Sequence, residues 1–307
     1  MTFDIPVAVT DVESKIFVTR KWIFPKTSLS GQRLPQLTLF GTSRAAGATA
    51  FYVPELDFLF DAGHKVHSSH PSHVFITHTH SDHCLDLTHH VSKYRPPNVY
   101  IPTESHEFVT DYVKAAQALT EYNRNGPKNS NTHGVSPGDT VTIGNRYELY
   151  VTEMDHSVPC VGYVVSSKRQ RLKQSLQHLS GKEIAALKRD DPLVEIMESY
   201  TMPLFAFNGD TTTKPFEQYK DLFSSVPVVI TECTFLHESH EENADKTKHT
   251  SWTAISPFIR EMKTTLFVLI HFSYRYSDRA IREFFELERQ RWKDEFGDEL
   301  NNIVVWA

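Results

Sequence analysis

The stretch FITHTHSDHCLDL at residues 75–87 constrains the fold more than any other part of this 307-residue chain. An apolar run leads into it, and three histidines and one aspartate then follow within six positions: His78, His80, Asp82 and His83. His78 and His80 stand at i and i+2 at the end of a predicted strand, so their side chains share one face. Imidazole nitrogen and carboxylate oxygen are ligands that Zn²⁺ binds readily. The cluster therefore predicts half of a two-metal site, and a solvated, histidine-rich loop is the alternative.

Four donors this close together can serve two ions but cannot surround either one, so further ligands must come from elsewhere. Three candidates stand at the C-terminal ends of apolar, strand-length runs: His156 after YELYVTEMD, Asp210 at the end of PLFAFNGD, and His271 after TLFVLI. Singly, His156 could be a core histidine and Asp210 a turn residue. Jointly they predict two sites that Asp210 bridges. The predicted ligand sets are His78, His80 and His156 for one ion, and Asp82, His83 and His271 for the other.

Strand-like runs and amphipathic helical stretches follow one another along the chain in a recurring order. Strands come first and then alternate with helices, and this order occurs twice. The pattern is typical of a layered α/β protein in which helices cover two sheets. We expect a single domain over residues 1–307. Residues 168–202 are charged, predicted to be helical and interpreted as an insertion between core strands, with Ser180 and Glu183 forming a capping box.

Composition argues against several classes of protein. No run of about 18 apolar residues exists, so no membrane-spanning helix is predicted, and the start MTFDIPVAVTDVESKIF does not look like a signal peptide. The three cysteines are far apart, which argues against a disulfide framework and predicts a cytoplasmic or nuclear location. The net charge of −6 gives no overall support for a nucleic-acid partner, which would need a local basic patch.

The histidine cluster and the later motifs carry a family resemblance. THTHSDH resembles the HxHxDH signature of the metallo-β-lactamase superfamily. HSVPCVGYVV, FNGDTT, TECTF, HTS and HFSYRY resemble ribonuclease Z, the tRNA 3′-processing endonuclease. SSKRQRLKQSLQHLSGKEIAALK is similar to the arm of the short form of that family. The resemblance covers roughly residues 36–306. It implies an αββα sandwich of two mixed sheets flanked by helices, with the metals between the sheets at one edge.

The resemblance also implies an activity. The chain would be a zinc-dependent endoribonuclease that removes the 3′ trailer from precursor tRNA, using a metal-bridging hydroxide and leaving a 3′-hydroxyl on the tRNA. Two Zn²⁺ per chain are implied, although Mn²⁺ or Fe²⁺ could occupy similar ligands, and family members are commonly homodimers. Asp82 would be a ligand and a candidate general base. Glu232 would pair with His249 as a proton relay to the leaving oxygen, and a neighbouring carboxylate does favour a protonated histidine.

Basic residues provide the candidate RNA contacts. Lys168, Arg169, Arg171 and Lys173 form a basic cluster in an otherwise acidic protein, and Arg275 follows His271 closely. Lysine and arginine contact phosphates without reading sequence, which suits recognition of tRNA by shape. An ordinary solvated helix is the alternative interpretation of the cluster.

Two other functions remain open. The same metal site could serve a hydrolase of another phosphodiester, such as a cyclic nucleotide or another RNA. A non-catalytic scaffold with this fold is disfavoured, because no predicted metal ligand is missing from the sequence.

Overall fold

The computed structural model describes residues 7–8, 18–66, 70–91, 95–122 and 131–307, so most of the start of the chain lies outside it. Across these residues the chain forms two β-sheets. The first sheet contains β1 (Val7–Ala8), β2 (Arg20–Ile23), β3 (Thr38–Arg44), β4 (Ala48–Val53), β5 (Phe58–Phe60), β6 (His73–Phe75), β7 (Asn98–Pro102) and β8 (Asn131–Val135). The second contains β9 (Thr140–Ile143), β10 (Tyr147–Met154), β11 (Cys160–Leu172), β12 (Met197–Phe207), β13 (Val228–Glu232), β14 (Leu266–Ile270) and β15 (Ile303–Val305).

Helices follow the later strands of each sheet. They are α1 (Ser81–Cys84), α2 (Leu87–Val91), α3 (His106–Glu121), α4 (Gly181–Asp190), α5 (Lys214–Gln218), α6 (Lys220–Ser225), α7 (Glu241–Thr247), α8 (Trp252–Glu261) and α9 (Asp278–Phe296). Short 3₁₀ turns cover Thr103–Ser105, Gln174–Leu176 and Glu238–His240. Among these described helices, none combines the length and apolar character needed to cross a membrane.

Both sheets repeat one strand arrangement. In the first, β1 to β5 pair antiparallel and β5 to β8 pair parallel. In the second, β9 to β12 pair antiparallel and β12 to β15 pair parallel. Parallel neighbours end at the same sheet edge, so residues that follow successive parallel strands are brought together. The recurring order predicted from the sequence reflects this repeat.

Side chains on each strand alternate between an inner core and an outer one. In β14, Leu266, Val268 and Ile270 point into the core shared by the two sheets, whereas Phe267 and Leu269 pack with residues of α8 and α9. The outer face of the first sheet packs in the same way against α2 and α3. Strands buried on both faces read as continuous apolar runs, as these do. The four layers confirm the predicted αββα sandwich.

The prediction that residues 168–202 are helical is wrong over most of that range. Strands β11 and β12 extend far along this segment and pair from Tyr163↔Phe207 out to Leu172↔Met197, with a register shift at Val165/Ser166. The helical part is α4 alone, and its capping box of Ser180 and Glu183 is present as predicted. Lys, Arg, Gln and Leu are good helix formers, but cross-strand pairing overrides that preference here. We call the ribbon and its helical tip, residues 168–202, the arm.

Candidate metal centre and active site

Seven predicted donors come together where strands of both sheets end. From the first sheet, His78 and His80 follow β6, while Asp82 and His83 lie in α1. From the second sheet, the donors follow β10, β12 and β14, and they are His156, Asp210 and His271. His80 Nδ1 lies 3.2 Å from His156 Nε2, and His83 Nε2 lies 3.2 Å from His271 Nε2. The cluster therefore joins the two sheets at two points.

The donors divide into overlapping groups that could each hold a metal ion. His78, His80, His156 and Asp210 offer ligand atoms that all lie within 4.8 Å of one another, and so do Asp82, His83 and His271. A third group, Asp210, His249 and His271, overlaps both. Asp210 lies between the groups. Its Oδ2 atom is 3.7 Å from His78 Nε2, 3.5 Å from His83 Nε2 and 3.4 Å from His271 Nε2. The first two groups contain the ligand sets predicted from the sequence, while the third places His249 close enough to be a ligand as well. Which residues bind metal stays a prediction.

Neighbouring groups fix the orientation of two imidazoles from the first sheet. Asp61 Oδ2 is 2.8 Å from His83 Nδ1, and Thr77 Oγ1 is 3.1 Å from His78 Nδ1. These contacts leave both Nε2 atoms facing the centre. Within the described part of the chain, His78 Nε2 is fully buried and has no hydrogen-bond partner. Buried polar atoms are rarely left unpaired, so the orphaned nitrogen fits a metal ligand.

Two histidines of the second sheet are oriented in the same way. The Nδ1 atom of His156 lies 2.9 Å from the carbonyl oxygen of Lys248, and that of His271 lies 3.1 Å from Thr234 Oγ1. Metal-binding histidines commonly donate their second N–H to such a partner, which sets the tautomer. His271 also has a left-handed backbone conformation, with φ 63°. A non-glycine residue rarely adopts this conformation, so the turn after β14 is held by its surroundings.

Asp61 contacts a proposed metal ligand, and the sequence patterns did not predict this position. It follows β5 and accepts hydrogen bonds from the backbone and hydroxyl of Thr77 as well as contacting His83. Close by, a Cβ atom on Gly63 would lie 1.7 Å from the carbonyl oxygen of Asp82, so only glycine fits there. The sequence did contain a signal for Asp61, because this aspartate directly follows the strand-like run FLF, as the proposed ligands follow other strands.

Burial and charge set the protonation of the donors. Burial lowers the pKa of His78, His80 and His156, which leaves neutral imidazoles with a free lone pair. Burial opposes ionisation of Asp82, but the hydrogen bond from His271 and the charges of nearby histidines hold its pKa at about 2. The pKa of the Asp210 carboxyl is likewise kept well below its usual value by the surrounding imidazoles, despite burial. His83 differs from those three histidines: burial would lower its pKa, but the charges and hydrogen bonds of Asp210 and Asp61 raise it well above its usual value, so that metal binding at its imidazole would displace a proton.

Glu232 is the centre of a second network beside the metal cluster. Its Oε1 atom accepts from His249 Nδ1 at 3.0 Å and from the backbone N–H of Thr211 at 2.6 Å. Its Oε2 atom accepts from the Thr234 hydroxyl at 2.5 Å and from the Thr250 N–H at 3.0 Å. Glu232 is 1% exposed, so this fully satisfied carboxylate is rigid.

His249 lies between this network and the metal cluster. Its Nδ1 atom is 3.8 Å from Asp210 Oδ2, and its ring stacks on that of His271 with centroids 5.5 Å apart. Burial would lower the pKa of His249, but the charge and hydrogen bond of Glu232 raise it to about 9. A proton is therefore held on an imidazole in contact with the metal cluster, as an acid for a leaving group would require.

The predicted RNA contacts lie elsewhere and are spread out. Lys168 Nζ is 3.3 Å from Glu148, Arg171 Nε is 2.7 Å from Glu198, and Lys173 Nζ is 3.7 Å from Glu195. Successive residues of a strand point to opposite faces, so within β11 Lys168 lies on the other face from Arg169 and Arg171, and Lys173 follows the end of the strand. The cluster is thus split in two and partly neutralised.

Arg275 lies much nearer the metal cluster than the arm residues do. Its guanidinium carbon lies 5.2 Å above the ring of Phe235, which in turn contacts His249 with centroids 6.4 Å apart. Its side chain is exposed. A phosphate contact by this residue stays a prediction.

A cavity of about 520 Å³ adjoins the site at His156. Lys214 and Lys248 line it, and both pair with Asp155. Burial opposes ionisation of Asp155, but the hydrogen bonds from these lysines bring its pKa down to about 2. The lining of the cavity is polar and of mixed charge, because Glu104 and Glu153 also belong to it.

The chain is similar in sequence to a known protein family and to curated proteins, and similar in fold to solved structures. The family described as Beta-lactamase superfamily domain matches residues 53–272. The chloroplastic tRNase Z TRZ2 of Arabidopsis thaliana is 30% identical over 261 residues, which cover 82% of this chain and 72% of that protein. The tRNase Z TRZ1 of the same plant is 30% identical over 252 residues, covering 79% and 88%. The solved structure of unliganded yeast PDE1 has a TM-score of 0.50 at 11% identity over 76% of this chain and 66% of that one, a likeness of fold alone.

Proposed function

The chain belongs to the tRNase Z (ribonuclease Z) family of the β-lactamase superfamily, and from this premise we propose that it removes the 3′ trailer from precursor tRNA. As a family member it is a hydrolytic endoribonuclease. One observation carries the proposal: His249, held by Glu232, contacts a cluster of donors that could hold two metal ions. That arrangement suits cleavage of a phosphodiester, which needs an activated water, charge neutralisation and an acid.

The donor set fits a pair of divalent cations. We propose that His78, His80 and His156 hold one ion, that Asp82, His83 and His271 hold the other, and that Asp210 bridges them. The mixture of imidazole and carboxylate suits Zn²⁺, with Mn²⁺ or Fe²⁺ as further possibilities. Two such ions would lower the pKa of water and neutralise the charge of the phosphate.

Side chains of this protein then complete the reaction. Water loses one proton to the solvent, the resulting hydroxide attacks phosphorus, and the bond between phosphorus and the 3′ oxygen of the tRNA breaks. His249 donates its proton to that oxygen, which leaves a 3′-hydroxyl on the tRNA and a 5′-phosphate on the trailer. Glu232 holds His249 in place and favours its protonated form. Asp82, with a pKa of about 2, stays ionised and is a weak proton acceptor, so we assign it to binding metal and orienting water more than to general base catalysis.

Recognition of RNA is proposed to involve the arm and Arg275. Arg169 and Arg171 share one face of the ribbon and Lys173 follows them at the end of β11, and all three can contact phosphates without reading sequence. We further propose a homodimer, in which the arm of one subunit grips tRNA bound at the other. A cytoplasmic or nuclear location stays a prediction, and the relatives include both a protein named chloroplastic and one named Nuclear ribonuclease Z, from Triticum aestivum.

The proposal is tested by incubating the purified protein with a precursor tRNA that carries a 3′ trailer. We expect a single cut at the start of the trailer, abolished by a chelator and restored by Zn²⁺. The ends should be a 3′-hydroxyl and a 5′-phosphate. Mature tRNA and a trailer-free RNA of equal length serve as controls. Hydrolysis of a cyclic nucleotide without cleavage of precursor tRNA would favour the other phosphodiesterase function instead.

A further inference from the structure

A second cavity, of about 300 Å³, is lined by residues of β2 and β3 and by the start of α9. Its lining includes Arg20, Arg44, Tyr274, Asp278 and Trp306. Residues that line this cavity are neighbours, along the chain, of residues at the metal cluster. The turn that follows Arg44 donates the Ala46 N–H to Asp82 Oδ2 at 2.9 Å. Tyr274 lies three residues beyond the predicted ligand His271. The cavity therefore flanks the site on its Asp82 side.

The charge of this cavity is positive. Arg20 and Arg44 have side chains only 9% and 13% exposed, and both bind the carboxylate of Asp278. Two guanidinium groups thus share one carboxylate, and a net positive charge is left in a largely dehydrated place. Burying charge in this way is costly unless the groups are paired. An anion that entered the cavity would complete the pairing.

The cavity also contains donors without acceptors. Among the residues that the structure describes, the Nη1 atom of Arg44 and the Nε1 atom of Trp306 are buried and have no hydrogen-bond partner. Trp306 is only 2% exposed. The start of α9, a helix of 19 residues capped by Ser277, also lines the cavity and contributes the positive end of a helix dipole. Two parts of the chain that are far apart in sequence therefore place unpaired hydrogen-bond donors at one cavity.

We propose that this cavity binds a phosphate group of the RNA backbone at some distance from the cleaved bond. The inference rests on the proposed function. The unpaired Arg44 guanidinium nitrogen and the Trp306 indole N–H are donors that can bind a phosphate oxygen. Tyr274 lies between the metal cluster and the cavity, is 48% exposed and offers a face on which a base can stack. A Cβ atom on Gly47 would come within 2.2 Å of the Tyr274 hydroxyl, so the glycine makes room for this ring.

The test compares two variants of the cavity with a matched control in the metal-loaded enzyme. Arg44→Gln removes the guanidinium, and Trp306→Phe removes a single N–H while keeping both arginine pairs with Asp278. Arg279→Gln is the control, because Arg279 is an exposed arginine of α9 that pairs with Glu283 outside the cavity. Thermal melting establishes that each variant folds. KM and kcat are then measured for precursor tRNA and for bis(4-nitrophenyl) phosphate.

We expect Arg44→Gln to raise KM for precursor tRNA about tenfold and to lower the slope of log KM against log salt by about one. Trp306→Phe should raise that KM about threefold, the control should not change it, and the loss should be confined to the RNA substrate. An unchanged KM and salt slope in folded Trp306→Phe and Arg44→Gln would overturn the proposal.

A further measurement separates this inference from the proposed function. If the unmodified enzyme hydrolyses the small diester but leaves precursor tRNA uncut, the proposed function fails. Inorganic phosphate then probes the cavity through the melting temperature. A shift that Arg44→Gln abolishes would keep the phosphate site but overturn its assignment to RNA. If phosphate shifts the melting temperature of Arg44→Gln as much as that of the unmodified enzyme, the proposed phosphate site is overturned.

Discussion

The Nδ1 atom of His249 lies 3.0 Å from Oε1 of Glu232, and the other oxygen of that carboxylate is linked to the proposed ligand His271 through the hydroxyl of Thr234. Oε2 accepts from the Thr234 hydroxyl, which is in turn 3.1 Å from Nδ1 of His271. One buried carboxylate therefore orients both the proposed acid and a proposed metal ligand. Glu232 is best described as a positioning residue, because it touches neither substrate nor metal.

Replacing His249 by alanine should separate acid catalysis from metal binding. Loss of a general acid costs about 10²- to 10⁴-fold in rate, and we expect kcat for precursor tRNA to fall in that range. The variant should still bind two equivalents of Zn²⁺, measured by elemental analysis. His237→Ala removes an exposed histidine outside the cluster and serves as the control. Loss of zinc from His249→Ala would instead make this residue a metal ligand.

Asp61→Asn should weaken metal binding without removing any proposed ligand. The amide can still hydrogen-bond but no longer supports His83 with a charge, and such outer partners typically contribute 10- to 100-fold to metal affinity. Competition with a chromophoric chelator measures the loss. Asp57→Asn is a matched control, since Asp57 contacts Tyr52 and Ser72. Equal zinc affinity in both variants would mean that Asp61 has only a structural role.

The pKa of His249 predicts how the metal-free protein responds to pH. Its folded value of about 9 lies above the ordinary 6.5, so the folded state binds the extra proton between these values. The stabilisation is full below pH 6.5 and is lost as pH rises through 9. We expect the free energy of unfolding to fall by about 3 kcal/mol more in the unmodified protein than in His249→Gln across this window. Urea titrations at several pH values measure this difference, and parallel curves for the two proteins would contradict the assignment.

Neutralising the basic residues of the arm should weaken RNA binding by an amount that differs between residues. We expect Arg169→Gln, Arg171→Gln and Lys173→Gln together to lower precursor tRNA affinity and to flatten its salt dependence. Lys168→Gln alone should have the smallest effect, because it lies on the opposite face and pairs with Glu148. Filter binding at several salt concentrations measures both quantities. Unchanged affinity of the triple variant at low salt would remove the arm from the RNA interface.

The sequence predicted the layers and the meeting of the donors because both depend on local signals. His78, Asp210 and His271 each end an apolar run, and the ends of successive strands meet at a sheet edge. The orienting residues were harder to find, since the role of Asp61 depends on a contact with His83 across 22 positions. Thr234 was missed for the same reason. The helical prediction for 168–202 failed because the pairing of β11 with β12 is not visible in either strand alone.

The proposed ligands belong to two sheets whose strands repeat the same arrangement. His78, His80, Asp82 and His83 come from one sheet, and His156, Asp210 and His271 from the other. Neither sheet provides a complete set of metal ligands by itself, so ions bound there would link the two sheets of the sandwich. Metal that binds only the joined form favours that form by mass action. Removal of metal would therefore weaken the association of the two sheets as well as abolish catalysis. Resistance to proteolysis would increase with the concentration of metal.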